Sequence, residues 1–149
     1  VGDRKIYSEV YMEVAGGCFC RAITYAAQLD LAAVGICHCR DCQIFSGSAF
    51  RMTGIIDPEH FCFTAGLPSY FDKVAESGSV RRMAFCAICG THLCSLPPEP
   101  ERAGGFVSLR VSTCDQFSEI TPSMEIFCDS RVNWLAPLDG PMQFSRMPG

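Results

Sequence analysis

The sequence predicts a mainly β protein that folds as one domain over residues 1–149. Short segments rich in β-branched and aromatic residues recur along the chain, and Gly, Pro and Asp separate them, which is the pattern of strands joined by turns. With 149 residues, of which 48% are hydrophobic and 19% charged, the chain can bury a core without a second domain. No segment has the periodicity of a long helix, so strands should form most of the regular structure.

The predicted strands follow these segments in chain order. They are residues 6–14, 22–26, 49–53, 61–64, 69–74, 80–85, 106–111 and 142–144. Alternation of apolar and polar residues is only partial, as at Val107, Leu109 and Val111, so the pattern defines the strands better than their ends. Residues 42–46 and 122–127 each have room for a helical turn, and the run 97–105 is expected to be one exposed loop.

The charge of the chain bears on its partners. The formal net charge is -4 and the pI is near 5.3, whereas nucleic-acid binding needs clustered Lys and Arg. Arg40, Arg51 and Arg131 stand alone, and so does the pair Arg81 and Arg82. We therefore expect no nucleic-acid partner, and isolated arginines suit a small anion better than a polymer.

The hydropathy pattern indicates where in the cell the protein is expected. No apolar run reaches the roughly 18 residues that a membrane helix requires, so no membrane association is expected. Residues 1–5 lack the apolar core of a signal peptide. The expected location is the cytoplasm.

Eleven cysteines are the most informative feature of the sequence. Seven of them fall into three clusters, which are Cys18-Phe-Cys20, Cys37-His-Cys39-Arg-Asp-Cys42 and Cys86-Ala-Ile-Cys89. Two thiols separated by one or two residues can reach the same ion from a tight turn, and a neighbouring glycine permits such a turn. Paired cysteines at this spacing favour metal over a disulfide framework.

Two of the clusters together supply four sulfurs, the closed tetrahedral set of a structural zinc. The ligands would be Cys18, Cys20, Cys86 and Cys89, and they would join distant parts of the chain. Another assortment of the three clusters, or burial as apolar thiols, is the alternative. Iron is the alternative metal, although zinc is favoured because no redox partner motif is present.

The middle cluster offers Cys37, Cys39 and Cys42, and three protein ligands leave the fourth position of a zinc ion open. His38 lies between two of these cysteines, and alternation in an extended turn favours a supporting or core role for it over ligation. Three thiolates make zinc a weak acid toward water, which disfavours hydrolysis. They leave it able to bind a small thiol as thiolate.

The remaining cysteines stand alone among apolar neighbours and are expected to be buried core thiols; they are Cys62, Cys94, Cys114 and Cys128. His60 and His92 receive no role. Trp134 is expected to pack in the core or in a lid.

Taken together, the cysteine clusters and their neighbours resemble the glutathione-dependent formaldehyde-activating enzyme family. The matching motifs are Gly16-Gly17-Cys18-Phe19-Cys20, Cys37-His38-Cys39-Arg40-Asp41-Cys42 and Phe85-Cys86-Ala87-Ile88-Cys89-Gly90. Arg21 departs from the family, which commonly has Gly there. Glu125 departs as well, since it stands where a His often precedes Ile-Phe.

The resemblance implies a β-tent-like fold of several short antiparallel sheets, as in methionine-R-sulfoxide reductase B. It implies a structural zinc on Cys18, Cys20, Cys86 and Cys89 and a second zinc on Cys37, Cys39 and Cys42. The implied activity is that of a carbon-sulfur lyase, the formation of S-(hydroxymethyl)glutathione from formaldehyde and glutathione.

Three hypotheses follow. The first is an enzyme whose second zinc binds glutathione or another small thiol, with Arg40, Arg51 or Arg131 pairing with its carboxylates. The second is a non-catalytic zinc-binding module whose β surface binds a protein partner. The third, ranked below both, is a redox enzyme of the methionine sulfoxide reductase kind that uses one of the lone cysteines.

Overall fold

The computed structural model describes residues 11–75, 77–98 and 105–148. Within these residues the chain forms eleven strands and one α-helix, joined by short 3-10 turns. The strands are β1 (Tyr11–Gly17), β2 (Thr24–Asp30), β3 (Val34–Cys37), β4 (Arg51–Ile56), β5 (Phe61–Ala65), β6 (Ser69–Val74), β7 (Val80–Phe85), β8 (His92–Leu96), β9 (Val107–Arg110), β10 (Met124–Ile126) and β11 (Met142–Gln143). The helix is α1 (Arg40–Ser46). The protein is mainly β, as predicted.

The strands form two sheets. The smaller sheet is antiparallel in the order β1-β2-β5, and the larger one has the order β11-β10-β3-β4-β9-β8-β7-β6. All pairs are antiparallel except those of β10, which runs parallel to both β3 and β11. The larger sheet is therefore mixed, which differs from the purely antiparallel expectation. Parallel neighbours need a long connection, and the chain supplies one between β3 and β10.

The predicted strands agree best where turn residues bracket a short segment rich in β-branched and aromatic residues. Both β6 and β7 have the predicted bounds, and β5 ends one residue later than predicted. Three strands were missed: β3, β8 and β10. In β3 every residue is buried, and in β8 all but the first are, so neither shows the period of two that marks a half-exposed strand.

The helical turn predicted at residues 122–127 is wrong. Met124–Ile126 form β10, because strands on both sides supply backbone hydrogen-bonding partners that a single turn would not have. The helical turn predicted at 42–46 is part of α1, which begins two residues earlier, at Arg40. Residues 6–10 of the first predicted strand and residues 99–104 of the predicted loop lie outside the described part of the chain.

The core lies between the two sheets. Leu29 of β2 is fully buried against β4, where a Cβ on Gly54 would lie 2.3 Å from the Leu29 Cδ1. Only glycine allows the sheets to approach this closely. Around this contact the core is built from residues that include Val34, Leu93 and Leu109. Each such side chain stabilises the fold by roughly 1.5 to 3 kcal/mol on burial.

Among the described residues, no helix combines the length and the apolar character needed to cross a membrane.

Candidate metal centres

The first cysteine cluster joins the ends of two strands that are far apart in sequence. Cys18 and Cys20 follow β1, and Cys86 and Cys89 follow β7. All four sulfurs lie within 4.8 Å of one another. The Sγ of Cys20 is 3.6 Å from that of Cys18 and 3.8 Å from that of Cys86. The structure therefore brings together the four residues that the spacing predicted.

Backbone hydrogen bonds shape the turn that carries Cys86 and Cys89. The amide of Gly90 donates to the carbonyl of Cys86 at 2.8 Å, and the amide of Cys86 donates to the carbonyl of Thr91 at 2.9 Å. Gly90 has a φ of +79°, a conformation that glycine adopts without strain. Gly90 therefore permits this turn, as predicted for a glycine beside the paired cysteines.

Thr91 links this turn to the first one. Its hydroxyl oxygen accepts a hydrogen bond from the amide of Phe19 at 3.0 Å and lies 3.2 Å from the Sγ of Cys89. The Thr91 hydroxyl and nearby backbone amides lower the pKa of Cys89 to about 5. The thiolate, the form that binds metal, is thus favoured at neutral pH.

The turn that carries Cys18 and Cys20 uses no glycine for its left-handed residue. Gly16 and Gly17 belong to β1, and the residue with positive φ is Arg21, at +64°. The amide of Arg21 donates to the carbonyl of Cys18 at 3.0 Å, so this conformation closes the turn. The departure from the family pattern at Arg21 therefore places a side chain where the backbone favours glycine.

We expect Arg21→Gly to be more stable than Arg21→Ala by about 1 kcal/mol, since alanine keeps the left-handed strain and glycine relieves it. Both variants lose the exposed ion pair between Arg21 and Asp115, so the comparison isolates the backbone effect. Urea denaturation of the two zinc-saturated variants measures the difference. Equal midpoints and slopes would show that Arg21 carries no strain.

The second cluster lies at the junction of β3 and α1. Cys37 ends β3, Cys39 caps α1 and Cys42 lies in its first turn, and their sulfurs are within 4.8 Å of one another. The Sγ of Cys39 accepts a hydrogen bond from the amide of Cys42 at 3.4 Å. Cys37 and Cys42 are buried while Cys39 is half-buried, so the cluster approaches the surface at Cys39.

Electrostatics favour a thiolate in this cluster. Hydrogen bonds from the thiols of Cys37 and then Cys42 lower the pKa of Cys39 to about 2, and the nearby Arg51 guanidinium acts in the same direction. The three close sulfurs therefore share protons through hydrogen bonds. A bound metal ion would replace these hydrogen bonds with direct bonds to sulfur.

His38 lies outside the ligand group. Its side chain is fully buried, and its Nε2 is 2.7 Å from the Oε1 of Glu125 on β10. Sequence alternation favoured such a core role over ligation, and the histidine joins β10 to the segment that carries Cys37 and Cys39.

Glu125 is the centre of a buried polar network. Its Oε2 accepts hydrogen bonds from the amide of Leu138 at 2.8 Å and from the Gln143 side chain, and Arg131 lies 3.5 Å from its Oε1. Burial alone would raise the pKa of Glu125, but the bonds from Gln143, His38 and Leu138, with the charge of Arg131, lower it to about 2. Glu125 is therefore a carboxylate at neutral pH.

The four cysteines outside the clusters differ in their burial. Cys94 and Cys114 are buried, as expected, and burial raises the pKa of Cys94 to about 12. The expectation of a buried thiol is wrong for Cys62, which is exposed on β5, and for Cys128, which is half-buried and accepts a hydrogen bond from Arg131. Trp134 was expected to pack in the core or in a lid; its side chain is 77% exposed, so the core alternative is wrong.

A cavity of about 450 Å³ is lined by residues that follow both clusters in the chain, and none of the clustered cysteines is among its lining residues. Its walls come from the end of α1, the start of β4, the turn after Cys89 and the end of β9. Arg51, His92 and Arg110 are among its charged or titratable lining residues. Sequence analysis considered Arg51 but missed Arg110 and gave His92 no role. A more open cavity of about 610 Å³ along β1 and β2 touches neither cluster.

The donor sets fit metal ions. Four sulfurs complete a tetrahedral zinc site, and three sulfurs leave one position for an outside ligand. Soft thiolates favour zinc over calcium or magnesium, which prefer oxygen. The part of the chain described thus holds two cysteine clusters suited to metal.

Comparisons with known proteins agree with this picture. The family model described as glutathione-dependent formaldehyde-activating enzyme matches residues 13–130. No curated protein matches the chain. A crystal structure of a Rhodobacter sphaeroides protein is similar with a TM-score of 0.53 at 14% identity, covering 87% of this chain and 98% of that one, which shows a shared fold. From the family match over most of its length, this chain belongs to the glutathione-dependent formaldehyde-activating enzyme family.

Proposed function

We propose that this protein is a zinc enzyme of the carbon-sulfur lyase kind that joins formaldehyde and glutathione as S-(hydroxymethyl)glutathione. The observation that carries the proposal is the cluster of Cys37, Cys39 and Cys42, which has three sulfurs, a surface-facing member and a cavity at the end of its helix. A purely structural zinc site would have a fourth protein ligand. Family membership supports glutathione and formaldehyde as reactants.

The two clusters would have different roles. Cys18, Cys20, Cys86 and Cys89 would hold a structural zinc that joins the ends of β1 and β7. Cys37, Cys39 and Cys42 would hold the second zinc. When bound there, zinc supplies a soft Lewis acid that favours the thiolate form of an incoming thiol.

The reaction itself needs no oxidant or reductant. The glutathione thiol gives up its proton, its sulfur lone pair forms a bond to the carbonyl carbon of formaldehyde, the C=O π bond breaks, and the oxygen takes up a proton. The chain's own contribution is placement. His38 and Glu125 fix the segment of Cys37 and Cys39 from the buried side, and Gln43 donates to the carbonyl of His38 at 3.0 Å and so anchors α1.

We expect zinc-saturated protein to contain two zinc ions per chain and to bind glutathione in calorimetry. Cys39→Ser should lose one zinc and the glutathione signal and keep its fold, because Cys39 belongs only to the second cluster. Elemental analysis, circular dichroism and calorimetry measure these three properties, and NMR with labelled formaldehyde measures adduct formation above the uncatalysed rate. Absence of binding at millimolar glutathione would contradict the proposal.

The alternative function is a non-catalytic zinc-binding interaction module. Phe19 and Ile88 favour it, because these apolar side chains stand 90% and 78% exposed on the two turns of the first cluster. In that case Cys39→Ser should destabilise the fold and leave the rate of adduct formation at its uncatalysed value.

A further inference from the structure

The cavity of about 450 Å³ is lined by a buried arginine whose hydrogen-bond donors are partly unpaired. Arg110, at the end of β9, is only 4% exposed. Its Nη1 donates to the carbonyl and the hydroxyl of Ser108 at 3.0 and 3.2 Å, while its Nε and Nη2 have no partner. Buried donors of a charged group are unfavourable when they have no partner, so an acceptor is expected at this position.

A second guanidinium lines the same cavity. Arg51, at the start of β4, has its Nε and Nη1 buried without a partner, and its guanidinium lies 5.9 Å from the centre of the Phe45 ring. Among the described residues no carboxylate pairs with Arg51 or Arg110. The two cations are close enough that Arg51 adds to the effect of burial in lowering the pKa of Arg110 to about 9.

The ligand that fits two such guanidinium groups is an oxyanion. A carboxylate accepts two parallel N–H bonds from an arginine and supplies the missing negative charge. His92, whose Nδ1 is also buried without a partner, adds a further polar group to the same wall.

The cavity is also lined by residues of the two elements that flank the second cluster, α1 and β4. Phe45 and Ser46, on its wall, belong to the helix that carries Cys42, and Arg51 lies opposite Cys37 in the register of β3 and β4. The other two arginines considered from the sequence are placed differently: Arg40 is exposed outside the cavity, and Arg131 is occupied by Glu125, Gln143 and Cys128.

We propose that Arg51 and Arg110 bind a carboxylate of the thiol substrate and make the site selective for acidic thiols. This inference rests on the proposed function for the presence of a thiol at the second cluster. It identifies the residues that determine which thiols bind. It predicts that an uncharged derivative of the same thiol binds more weakly than the acidic thiol.

The test compares reduced glutathione with its diethyl ester, in which both carboxylates are neutralised, by calorimetry on zinc-saturated protein. The wild type should bind glutathione at least about tenfold more tightly than the ester, a difference of about 1.4 kcal/mol. Arg110→Met should bind the two thiols with nearly equal affinity. Arg51→Gln should reduce the preference as well and serves as the second variant if Arg110→Met does not fold, which circular dichroism shows.

Arg40→Gln is the matched control, since it removes the same charge beside the same cluster but outside the cavity. It should keep the preference for glutathione. If the wild type binds glutathione and the ester equally, or if the folded variants keep the preference, the inference fails while the proposed function stands. If neither thiol binds to zinc-saturated wild type, the proposed function fails and the inference with it.

Discussion

Cys86→Ser is expected to leave the chain without a stable fold at neutral pH. Cys86 is 1% exposed and belongs to the four-sulfur cluster that joins the ends of β1 and β7. Structural zinc binding contributes about 10 to 16 kcal/mol in small domains, whereas the net stability of a domain is about 5 to 15 kcal/mol. Losing most of the free energy of zinc binding would therefore remove as much stability as the whole domain has. Circular dichroism on heating and elemental analysis measure the fold and the remaining zinc.

Two cysteine variants make this result specific. Cys94→Ser changes a thiol that is equally buried but belongs to neither cluster, so it should cost about 1 to 3 kcal/mol for burying a hydroxyl and keep both zinc ions. Cys39→Ser should lose only the second zinc. A Cys86→Ser protein that melts cooperatively near the wild-type temperature would show that the first cluster is not a structural centre.

Glu125→Ala is expected to destabilise the protein by about 3 kcal/mol or more, because it removes one partner of a buried ion pair and leaves the others unpaired. His38 and the amide of Leu138 would lose their acceptor, and Arg131 would lose the carboxylate that lies 3.5 Å away. Urea denaturation of zinc-saturated protein measures the loss. Glu125→Gln, which keeps an acceptor oxygen but no charge, should fall between the wild type and Glu125→Ala.

The control for this prediction is Asp129→Ala. Asp129 is also acidic and pairs with an arginine, Arg146, but the pair is exposed and 3.9 Å long, so its loss should cost under about 1 kcal/mol.

Glu125→Ala should also lower zinc occupancy at the second cluster more than at the first, since His38 lies between Cys37 and Cys39. Equal stability losses in the Glu125 and Asp129 variants would contradict the role given to the buried network.

The cysteine clusters and several strands were accessible to sequence analysis because their signals are local. Two thiols that are one or two residues apart meet at a turn whatever the rest of the chain does, and β6 and β7 are short segments bracketed by turn residues. The strands β3 and β10 gave no such signal, because the first is wholly buried and the second is a strand only through its neighbours.

The site residues divide in the same way. The sequence by itself determined the mainly β class, the seven clustered cysteines and the soft donor chemistry, because these depend on composition and on short spacing. Only the tertiary structure decided that Arg110 faces the same cavity as Arg51, that Glu125 holds His38, and that Cys62 and Trp134 are exposed. The order of strands in the sheets sets these relations, and the burial of a charge depends on what distant segments pack around it.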